Sequence, residues 1–387
     1  MSTPRTRVAL MGATGSIGSQ TLDVLRSEPE RFDVVALAVG HRVHELAALV
    51  EEFHVRRVGV GDDRDRQILA SMLSGDVDIV VGEKGLRDLS GDADVVVNAV
   101  MGFAGLPVTL ATLEAGSRLA LANKESLIAA APLVASVRST PGAEILPVDS
   151  EHCAIHQCLA GSNEPGHPDV ARLLLTASGG PFRGWSPSQL EHATKADALA
   201  HPTWSMGPKI TIDSSTLMNK GLEVLEASAL FGIDVERIDV VVHPQSIVHS
   251  MVEYVDGSVL AQLSMPDMRL PISYCLGSPS RLALQWGHLD FSHTFSLDFE
   301  PPDREAFAAL DLAYHAARRA GAAPAWLSAA NEVCVEAFLQ DRIRWADIVP
   351  LVAATMDEYE DDPLSNLDAV VAADALARRI THDNLPR

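Results

Sequence analysis

Short apolar runs and amphipathic stretches alternate along residues 1–149 of the chain. The apolar runs have the length of strands, and residues with helical periodicity lie between most of them. These runs are Arg7–Met11, Phe32–Val39, Val55–Val60, Asp78–Val81, Asp94–Val100, Arg118–Ala122 and Glu144–Val148. Because strands that alternate with helices assemble into parallel sheets, the pattern predicts a doubly wound α/β domain.

The pattern changes after this domain. Residues 152–161 have helical periodicity, Val170–Thr176 is typical of a strand that ends at Ser178-Gly-Gly, and residues 181–209 show no period. The later elements are two strand-like runs within residues 238–263, an Asp256-Gly turn that joins them, a linker-like stretch over 276–302 and amphipathic helices from Asp303 onward. The order predicts an α+β domain followed by a small helical domain.

A glycine-rich turn, Gly12-Ala-Thr-Gly-Ser-Ile-Gly18, follows the first predicted strand and opens the first predicted helix. In this context the glycines let the backbone approach a pyrophosphate, and the amides at the helix start point at it. A plain tight turn is the alternative. The second strand runs into Gly40-His41-Arg42 with no carboxylate before Glu45, which favours NADP(H) over NAD(H), although Arg42 is equally consistent with a solvated helix start.

Two polar groups follow predicted strands, Asn123-Lys-Glu125 and Asp149-Ser-Glu151. We expect them to face one crevice, since ligands of such sheets lie beyond the carboxyl ends of the strands. In an extended backbone the carboxylates of Asp149 and Glu151 leave on the same face. They would repel each other, so the pair predicts a cation between them. A solvated loop is the alternative.

A helix is expected over Ile212-Asp-Ser-Ser-Thr-Leu-Met-Asn-Lys-Gly-Leu-Glu-Val-Leu-Glu-Ala, with Ser and Asp as caps at its start. Helical spacing puts one group of side chains on a buried stripe, namely Met218, Leu222, Leu225 and Ala229. Asn219, Lys220 and Glu223 share the opposite side, with Ser214 at the helix start. A chemical site and an exposed face with a weak Lys–Glu pair fit this pattern equally well.

Composition narrows the functional classes. The chain has 387 residues, which predicts two or three domains, and 47% of them are apolar. A net charge of −22 argues against a nucleic-acid surface, whereas a local cluster of donors still permits an anionic substrate. The four cysteines lack metal-site spacing and are expected to be reduced thiols. Neither a signal peptide nor a membrane-spanning segment is expected, so we predict a cytoplasmic protein.

The chain resembles the 1-deoxy-D-xylulose 5-phosphate reductoisomerase family along essentially its whole length. The stretches that carry the resemblance are Gly12-Ala-Thr-Gly-Ser-Ile-Gly, Ala122-Asn-Lys-Glu-Ser, Pro147-Val-Asp-Ser-Glu-His, Thr176-Ala-Ser-Gly-Gly-Pro-Phe, His201-Pro-Thr-Trp-Ser-Met-Gly and Asp213-Ser-Ser-Thr-Leu-Met-Asn-Lys-Gly-Leu-Glu. The resemblance implies rearrangement of a phosphorylated ketose and NADPH-dependent reduction to 2-C-methyl-D-erythritol 4-phosphate, a step in the synthesis of isoprenoid precursors. It also implies Mg²⁺ or Mn²⁺ as a cofactor and a homodimer.

The resemblance implies roles for particular residues. The metal ligands would be Asp149, Glu151 and Glu223, and the catalytic residues would be these three and Lys124. The substrate would be bound by Lys124, Ser150, Glu151, Ser178, His201, Trp204, Ser214, Asn219, Lys220 and Glu223. NADPH would be bound by Thr14, Gly15, Ser16, Ile17, Gly40, His41, Arg42, Asn123, Glu125 and Gly207. Oxygen ligands without Cys or His agree with Mg²⁺ or Mn²⁺ rather than zinc.

The implied organisation has four parts: an NADPH-binding domain at 1–149, a catalytic domain with a lid loop at 150–276, a linker at 277–302 and a helical domain at 303–387. The sequence departs from the commonest family pattern in two places. His41-Arg42 stands where Lys-Asn is frequent, which leaves the contacts to the cofactor phosphate open, and Thr203 replaces a frequent Asn.

Two other functions are weighed against this one. An NADP-dependent dehydrogenase of another phosphorylated aldehyde or semialdehyde would use Cys153 as a nucleophile, but that cysteine lies in an apolar helical stretch without an adjacent cation to lower its pKa. A non-catalytic NADP-sensing module leaves the three carboxylates unexplained. Dependence of turnover on a metal separates the first alternative from the reductoisomerase.

Overall fold

The computed structural model describes residues 4–160, 162, 166–360 and 364–386. The chain falls into two compact units. The first comprises Met1–Ser126, Val134–Cys153 and Asp267–Trp286, and the second comprises Leu127–Leu133, Ala154–Pro266 and Gly287–Arg387. The four-part division given above stays a prediction.

The first unit contains a seven-stranded parallel sheet. Its strands are β1 Thr6–Met11, β2 Phe32–Ala38, β3 Arg57–Val60, β4 Asp78–Val81, β5 Val95–Asn98, β6 Arg118–Leu121 and β7 Glu144–Pro147. Their order is β4-β3-β2-β1-β5-β6-β7, so the direction of winding reverses between β1 and β5. The predicted Rossmann-like, doubly wound fold is confirmed, and every predicted strand is present with small shifts at its ends.

Helices follow these strands along the chain. They are α1 Ser16–Ser27, α2 Val43–Phe53, α3 Asp63–Met72, α4 Gly82–Ser90, α5 Leu106–Glu114, α6 Lys124–Ala129, α7 Ala131–Val137 and α8 Ser150–Cys158. Alternate residues of β1 enter different cores. Val8 and Leu10 pack in one cluster, and Ala9 and Met11 pack in the other. Burial on both faces explains why the strands are apolar throughout rather than alternating.

The second unit contains a four-stranded mixed sheet. Its strands are β8 Val170–Ala177, β9 Ile238–Val242, β10 Val248–Tyr254 and β11 Val259–Leu263, in the order β11-β10-β8-β9. Strand β8 is parallel to β9, and β10 is antiparallel to both β8 and β11. The predicted α+β character is confirmed, but residues 238–263 hold three strands rather than the two expected, and the Asp256-Gly turn joins the last two, β10 and β11.

The remaining helices are α9 Pro187–Leu190, α10 Lys195–Leu199, α11 Pro208–Ser215, α12 Met218–Phe231, α13 Arg269–Gly277, α14 Ala309–Arg319, α15 Ala323–Leu339, α16 Ile348–Asp357 and α17 Leu367–Asn384. Short 3₁₀ helices lie at Gly102–Gly105, Val235–Arg237 and Trp345–Asp347. The predicted C-terminal helices are confirmed. Their core is large and aromatic in part, with the Phe182 ring 4.9 Å from the Trp345 ring. Among the described residues, no helix is both long and apolar enough to cross a membrane.

Two expectations about local structure are wrong. Residues 181–209 are not irregular throughout, because α9 and α10 form there, each begun by a capping box at Ser186 or Thr194. The single helix expected from Ile212 is two helices. Helix α11 ends at Ser215, Leu217 adopts a left-handed conformation with φ 60°, and α12 begins at Met218. Ser214 therefore lies at the end of one helix rather than at the start of the other.

Candidate active site

The glycine turn after β1 is shaped to let an anion approach the start of α1. Gly12 has φ +90°, and a Cβ there would lie 2.4 Å from the Ala99 carbonyl oxygen. A Cβ on Gly18 would lie 2.2 Å from the Gly12 oxygen, so both positions require glycine. Gly15 caps α1 without a side-chain hydrogen bond. Backbone N–H groups of the first helical turn lack partners within their own helix, which suits this turn to a pyrophosphate.

The turn after β2 is exposed at Gly40, His41 and Arg42. His41 Nδ1 lies 2.7 Å from Asp65 Oδ2, and Arg42 Nη1 lies 3.5 Å from Glu45 Oε2. The structure thus brings His41 and Arg42 together at the end of β2, each with a carboxylate beside it. Sequence reasoning did not single out Asp65, because it comes after the next strand.

Asn123 is buried and holds two loops together. Its amide nitrogen donates to the Val100 and Gly102 carbonyl oxygens at 2.5 and 2.7 Å, and its Oδ1 accepts from the Ser126 amide at 2.9 Å. The side chain therefore fixes the loop after β5 against the start of α6. A contact of Asn123 with a cofactor would come from its backbone, since the side-chain groups already have these partners.

Buried Lys124 and half-buried Asp149 form an ion pair in the first unit. Lys124 Nζ lies 2.6 Å from Asp149 Oδ2, and the two side chains are only 8% and 12% exposed. The Lys124 ammonium thus supplies part of the positive charge that was predicted beside Asp149 and Glu151. Desolvation strengthens such an attraction, while it makes loss of either partner costly. Glu125, which follows Lys124, is half-buried at the start of α6.

The expectation of an extended backbone at Asp149-Ser-Glu151 is wrong, because α8 begins at Ser150. Asp149 Oδ1 lies 3.3 Å from the Glu151 amide nitrogen, and Ser150 Oγ donates to Glu151 Oε2 at 2.6 Å. A carboxylate before a helix accepts from amides of the first turn, which favours the helix over a continued strand. Both carboxylates remain together, held by the helix start.

His152 was missed as a functional candidate. Its side chain is fully buried, and its Nδ1 lies 3.1 Å from Asp149 Oδ1. Because a carboxylate accepts, Nδ1 donates, and the imidazole fixes the direction of the Asp149 carboxylate. Its position three residues after Asp149 was the signal, since α8 places both on one side of its first turn.

In the second unit, Ser178 and His201 lie together. His201 Nδ1 accepts hydrogen bonds from the amides of Thr203 and Trp204, so the ring proton of neutral His201 is on Nε2, which is 3.0 Å from Ser178 Oγ. Burial lowers the pKa of His201 and so favours this neutral form. The Trp204 ring lies against the His249 ring, with centroids 6.1 Å apart.

Ser214 joins the same neighbourhood through the backbone. Gly180 has φ +68°, and a Cβ there would lie 2.5 Å from the Ser214 carbonyl oxygen. The turn after β8 thus presses directly on the end of α11, and only glycine permits this approach. At the other end of α11, Gly207 is the capping residue, with open space around its Cα.

Lys220 and Glu223 form a second buried ion pair, on α12. The two residues are 3% and 1% exposed, and Asn219 Nδ2 donates to the other oxygen of Glu223 at 2.5 Å. Asn219, Lys220 and Glu223 share one side of the helix as predicted. The alternative of an exposed face is wrong, because α12 is buried nearly all round.

Asp213, which was expected to cap the start of a helix, instead lies within α11. It is 1% exposed and lies 2.8 Å from Lys209 Nζ, and Asn331 Nδ2 of α15 donates to it at 2.7 Å. Trp345 Nε1 donates to the neighbouring Ser215 at 2.8 Å. These contacts fix the end of α11, and with it Ser214, to the C-terminal helices.

Cys153, the nucleophile of the alternative dehydrogenase, is 1% exposed. A buried thiol is poorly placed to attack a substrate carbonyl. The first unit has a doubly wound sheet with a glycine turn at the start of α1. Lysine–carboxylate pairs lie after its strands and on α12. These features are those of a dinucleotide-dependent α/β oxidoreductase.

The chain belongs to the 1-deoxy-D-xylulose 5-phosphate reductoisomerase family. Residues 8–131 match the family model of 1-deoxy-D-xylulose 5-phosphate reductoisomerase, and residues 145–231 and 263–380 match two models of its C-terminal domains. The resemblance inferred from the sequence is thereby confirmed.

Relatives match almost the whole chain. The 1-deoxy-D-xylulose 5-phosphate reductoisomerase of Chloroherpeton thalassium is 47% identical over 97% of both chains, and that of Heliobacterium modesticaldum is 48% identical over 98% of this chain and 97% of its own. A reductoisomerase solved with NADPH, fosmidomycin and magnesium superposes with a TM-score of 0.93 at 42% identity, covering 98% of each chain. The Zymomonas mobilis enzyme with NADPH gives 0.90 at 42% identity, covering 98% and 99%.

Proposed function

We propose that this protein converts 1-deoxy-D-xylulose 5-phosphate to 2-C-methyl-D-erythritol 4-phosphate, with NADPH as reductant and Mg²⁺ or Mn²⁺ as cofactor. The observation that carries the proposal is that two carboxylates, those of half-buried Asp149 and buried Glu223, are each held by a lysine ammonium. Charged groups are costly to hold in a protein interior unless they have a function there. Together with the glycine turn after β1, these groups indicate a site for charged ligands rather than packing alone.

Asp149, Glu151 and Glu223 are the proposed metal ligands. The donor set fits a hard cation, because all three offer carboxylate oxygens. When bound, the metal supplies Lewis acidity at the substrate carbonyl and its neighbouring hydroxyl. His152 orients Asp149 through its Nδ1, and Ser150 orients Glu151 through its Oγ. Such hydrogen bonds from outer groups hold ligand carboxylates in one direction.

The substrate phosphate is assigned to Ser178, Ser214, Asn219 and Lys220, with His201 donating from Nε2. Neutral donors and one ammonium match a dianion inside an acidic protein. The His201–Ser178 hydrogen bond of 3.0 Å supports this assignment, because it aligns two donors before substrate arrives. Trp204, whose amide is tied to His201, covers the carbon skeleton and excludes water from the aldehyde that is to be reduced.

Lys124 and Ser150 contact the reacting hydroxyls. Lys124 lies 2.6 Å from Asp149, so its ammonium is in place to donate a proton or hydrogen bond beside a ligand carboxylate. For NADPH, Thr14, Gly15, Ser16 and Ile17 hold the pyrophosphate at the start of α1. Gly40, His41 and Arg42 bind the adenosine half, and Asn123, Glu125 and Gly207 lie by the nicotinamide half.

Turnover tests the proposal. Purified protein, incubated with 1-deoxy-D-xylulose 5-phosphate and Mn²⁺, should oxidise NADPH, and EDTA should stop the reaction. Glu223→Gln and Asp149→Asn preserve side-chain shape, and we expect each to reduce kcat by at least about a thousandfold, the size of a lost electrostatic contribution to catalysis. Circular dichroism would verify that the variants remain folded.

Glu236→Gln is the matched control. Glu236 pairs with Arg318 on the surface, with 61% of its side chain exposed, and its variant should retain wild-type turnover. Turnover that survives EDTA would favour the dehydrogenase alternative. Normal turnover of both carboxylate variants, with the metal still required, would remove these residues from the metal site.

The protein is further proposed to be a cytoplasmic homodimer. Among the described residues, no disulfide joins Cys153, Cys158, Cys275 and Cys334, which supports a reducing compartment. Edge strand β11 supports self-association, because Val259 and Leu260 are 47% and 49% exposed on it. An apolar edge strand is a template for pairing with another chain.

A further inference from the structure

We propose that Asp65 is a positioning residue for NADPH: it orients His41 so that the imidazole binds the 2′-phosphate, and it thereby contributes to the choice of NADPH over NADH. This inference rests on the proposed cofactor role of Gly40, His41 and Arg42. It concerns a residue outside that set, which comes from the turn after β3 rather than from the turn after β2.

The topology brings the two turns together. Strands β2 and β3 are adjacent and parallel, so the turns that follow them lie at the same edge of the sheet. The Gly61 amide donates to the Gly40 carbonyl oxygen at 2.9 Å and joins the turns. A Cβ on Gly61 would lie 3.2 Å from His41 Cε1. The imidazole therefore passes close over Gly61 and reaches the start of α3.

At α3 the imidazole meets a carboxylate that is itself held in place. Asp62 caps the helix, with its Oδ1 accepting from the Asp65 amide at 2.8 Å. Asp65 lies in the first turn, where the helix dipole favours its charge, and its side chain is 11% exposed. His41 Nδ1 is 2.7 Å from Asp65 Oδ2, whereas 78% of the His41 side chain is exposed. One edge of the ring is anchored and the other faces solvent.

The hydrogen bond to Asp65 determines which ring nitrogen of His41 faces the solvent. An ionised carboxylate only accepts, so Nδ1 carries the proton of this hydrogen bond, and Nε2 is the ring nitrogen that points outward. An imidazolium with its Nε2–H pointing outward is a donor for a dianionic phosphate. A carboxylate at this position would otherwise suit the ribose hydroxyls of NAD(H). Because the Asp65 carboxylate accepts from His41, it is directed at the imidazole rather than at ribose hydroxyls, and Nε2 is the group presented to the cofactor.

The Asp65→Asn variant distinguishes two explanations, because they predict opposite changes in the affinity for NADPH. If Asp65 acted only through its charge, its neutralisation would strengthen binding of the phosphate-bearing cofactor. If it positions His41, the KM and the dissociation constant for NADPH should rise about tenfold, because the neutral Asn oxygen is a weaker acceptor than the carboxylate and holds the ring less firmly, while kcat stays within about twofold. The values for NADH should not change.

Asp63→Asn is the matched control. Asp63 lies in the same first turn with 74% of its side chain exposed and pairs with Arg66, so the substitution removes the same charge without touching His41. It should leave NADPH affinity equal or slightly higher. Dissociation constants for NADPH and NADH, measured by fluorescence in EDTA and without substrate, exclude effects of the active-site metal.

A double-mutant cycle completes the test. A residue that acts through His41 has nothing to position in its absence, so Asp65→Asn should add no loss of NADPH affinity in a His41→Ala background. Equal losses in both backgrounds, or tighter NADPH binding by Asp65→Asn, would overturn the inference. So would wild-type preference for NADPH that vanishes in EDTA and returns with zinc, because His41, Asp62 and Asp65 would then hold a cation. Wild-type protein without turnover would instead refute the proposed function.

Discussion

Lys220 is the residue in which stability and binding are most closely coupled. It is proposed to hold the substrate phosphate, yet its ammonium already pairs with Glu223 in a site where both residues are nearly inaccessible to water. Removal of one member of a buried pair leaves the other charged and desolvated. Any substitution at Lys220 therefore changes two properties, which have to be measured separately.

We expect Lys220→Ala to lower the free energy of unfolding by about 3–5 kcal/mol, since it leaves Glu223 buried without its ammonium. In a Glu223→Gln background the same substitution should lower it much less. Urea titrations of the wild type, the two single variants and the double variant would measure the loss of stability in both backgrounds. Lys220→Ala should also raise the KM for substrate, and an unchanged KM would remove the residue from the phosphate site. Equal losses of stability in both backgrounds would contradict the buried-pair argument.

His201 is expected to make the protein less stable in mild acid. Burial lowers its pKa in the folded state, whereas in the unfolded chain the pKa is about 6.5. As pH falls through this value the unfolded chain binds the proton first, so stability is present above it and is lost as pH decreases towards the lower folded pKa. Protonation of Nδ1 would also remove the acceptor of the Thr203 and Trp204 amides.

Urea titrations at about pH 7.5 and about pH 5.5 would measure this loss. His201→Gln, whose amide does not titrate, is the control and should lose less stability over the same interval. An identical pH dependence in the two proteins would show that another group is responsible.

At the scale of elements, strands were predicted well from the sequence and helix ends were predicted poorly. The buried strands of a parallel sheet are continuous apolar runs, and that signal is local, so the chain between Arg7 and Val148 could be divided correctly. The boundary between α11 and α12 depends on Leu217, a leucine with positive φ, which no local preference indicates. The surrounding packing imposes that conformation.

The candidate site could likewise be predicted only in part from the sequence. Residue types and their spacing singled out Lys124, Asp149, Lys220 and Glu223 as candidates, and only the resemblance to the family favoured a chemical site over a solvated loop or an exposed face. The direct Lys124–Asp149 ion pair could not be predicted beyond the expectation that both residues face one crevice, since they follow different strands and meet only when the sheet forms. His152 and Asp65 were missed for a similar reason. Each acts on another residue, and nothing in its own sequence context indicates the partner.

Helix α12 carries Asn219, Lys220 and Glu223, and its packing on α14 requires Gly221. A Cβ there would lie 2.7 Å from the Ala313 Cβ. An alanine normally stabilises a helix interior by about 0.5–1 kcal/mol relative to glycine. Here the overlap should reverse the sign, and we expect Gly221→Ala to lower the free energy of unfolding by about 1–3 kcal/mol.

Ala313→Gly removes the atom that a new methyl group would meet, so it provides the rescue. The double variant should recover a substantial part of the stability lost by Gly221→Ala, as measured from the midpoint and slope of urea denaturation. Failure of the rescue, or a stabilising effect of the single substitution, would show that α12 and α14 do not make this close approach in solution.

At the scale of the whole molecule, an acidic protein has to hold anionic ligands. The chain carries a net charge of −22, yet both the proposed cofactor and the proposed substrate bear phosphates. Local donors resolve this conflict, because attraction over a few ångströms outweighs distant charge that salt screens. The start of α1, the His41–Arg42 turn and Lys220 are the local donors. Each of them lies beside backbone or carboxylate groups that fix its direction.

The proposed homodimer makes the last prediction. Leu260 lies on edge strand β11 and is 49% exposed, so Leu260→Lys would place a charge in an apolar contact between copies. Charged residues on edge strands block pairing with another chain. The mass of one chain is 41.4 kDa. We expect sedimentation equilibrium to give twice this mass for the wild type and the mass of a single chain for Leu260→Lys. Val371→Lys, equally exposed at 47% but on helix α17, is the control and should remain a dimer. A dimeric Leu260→Lys variant would place the interface elsewhere.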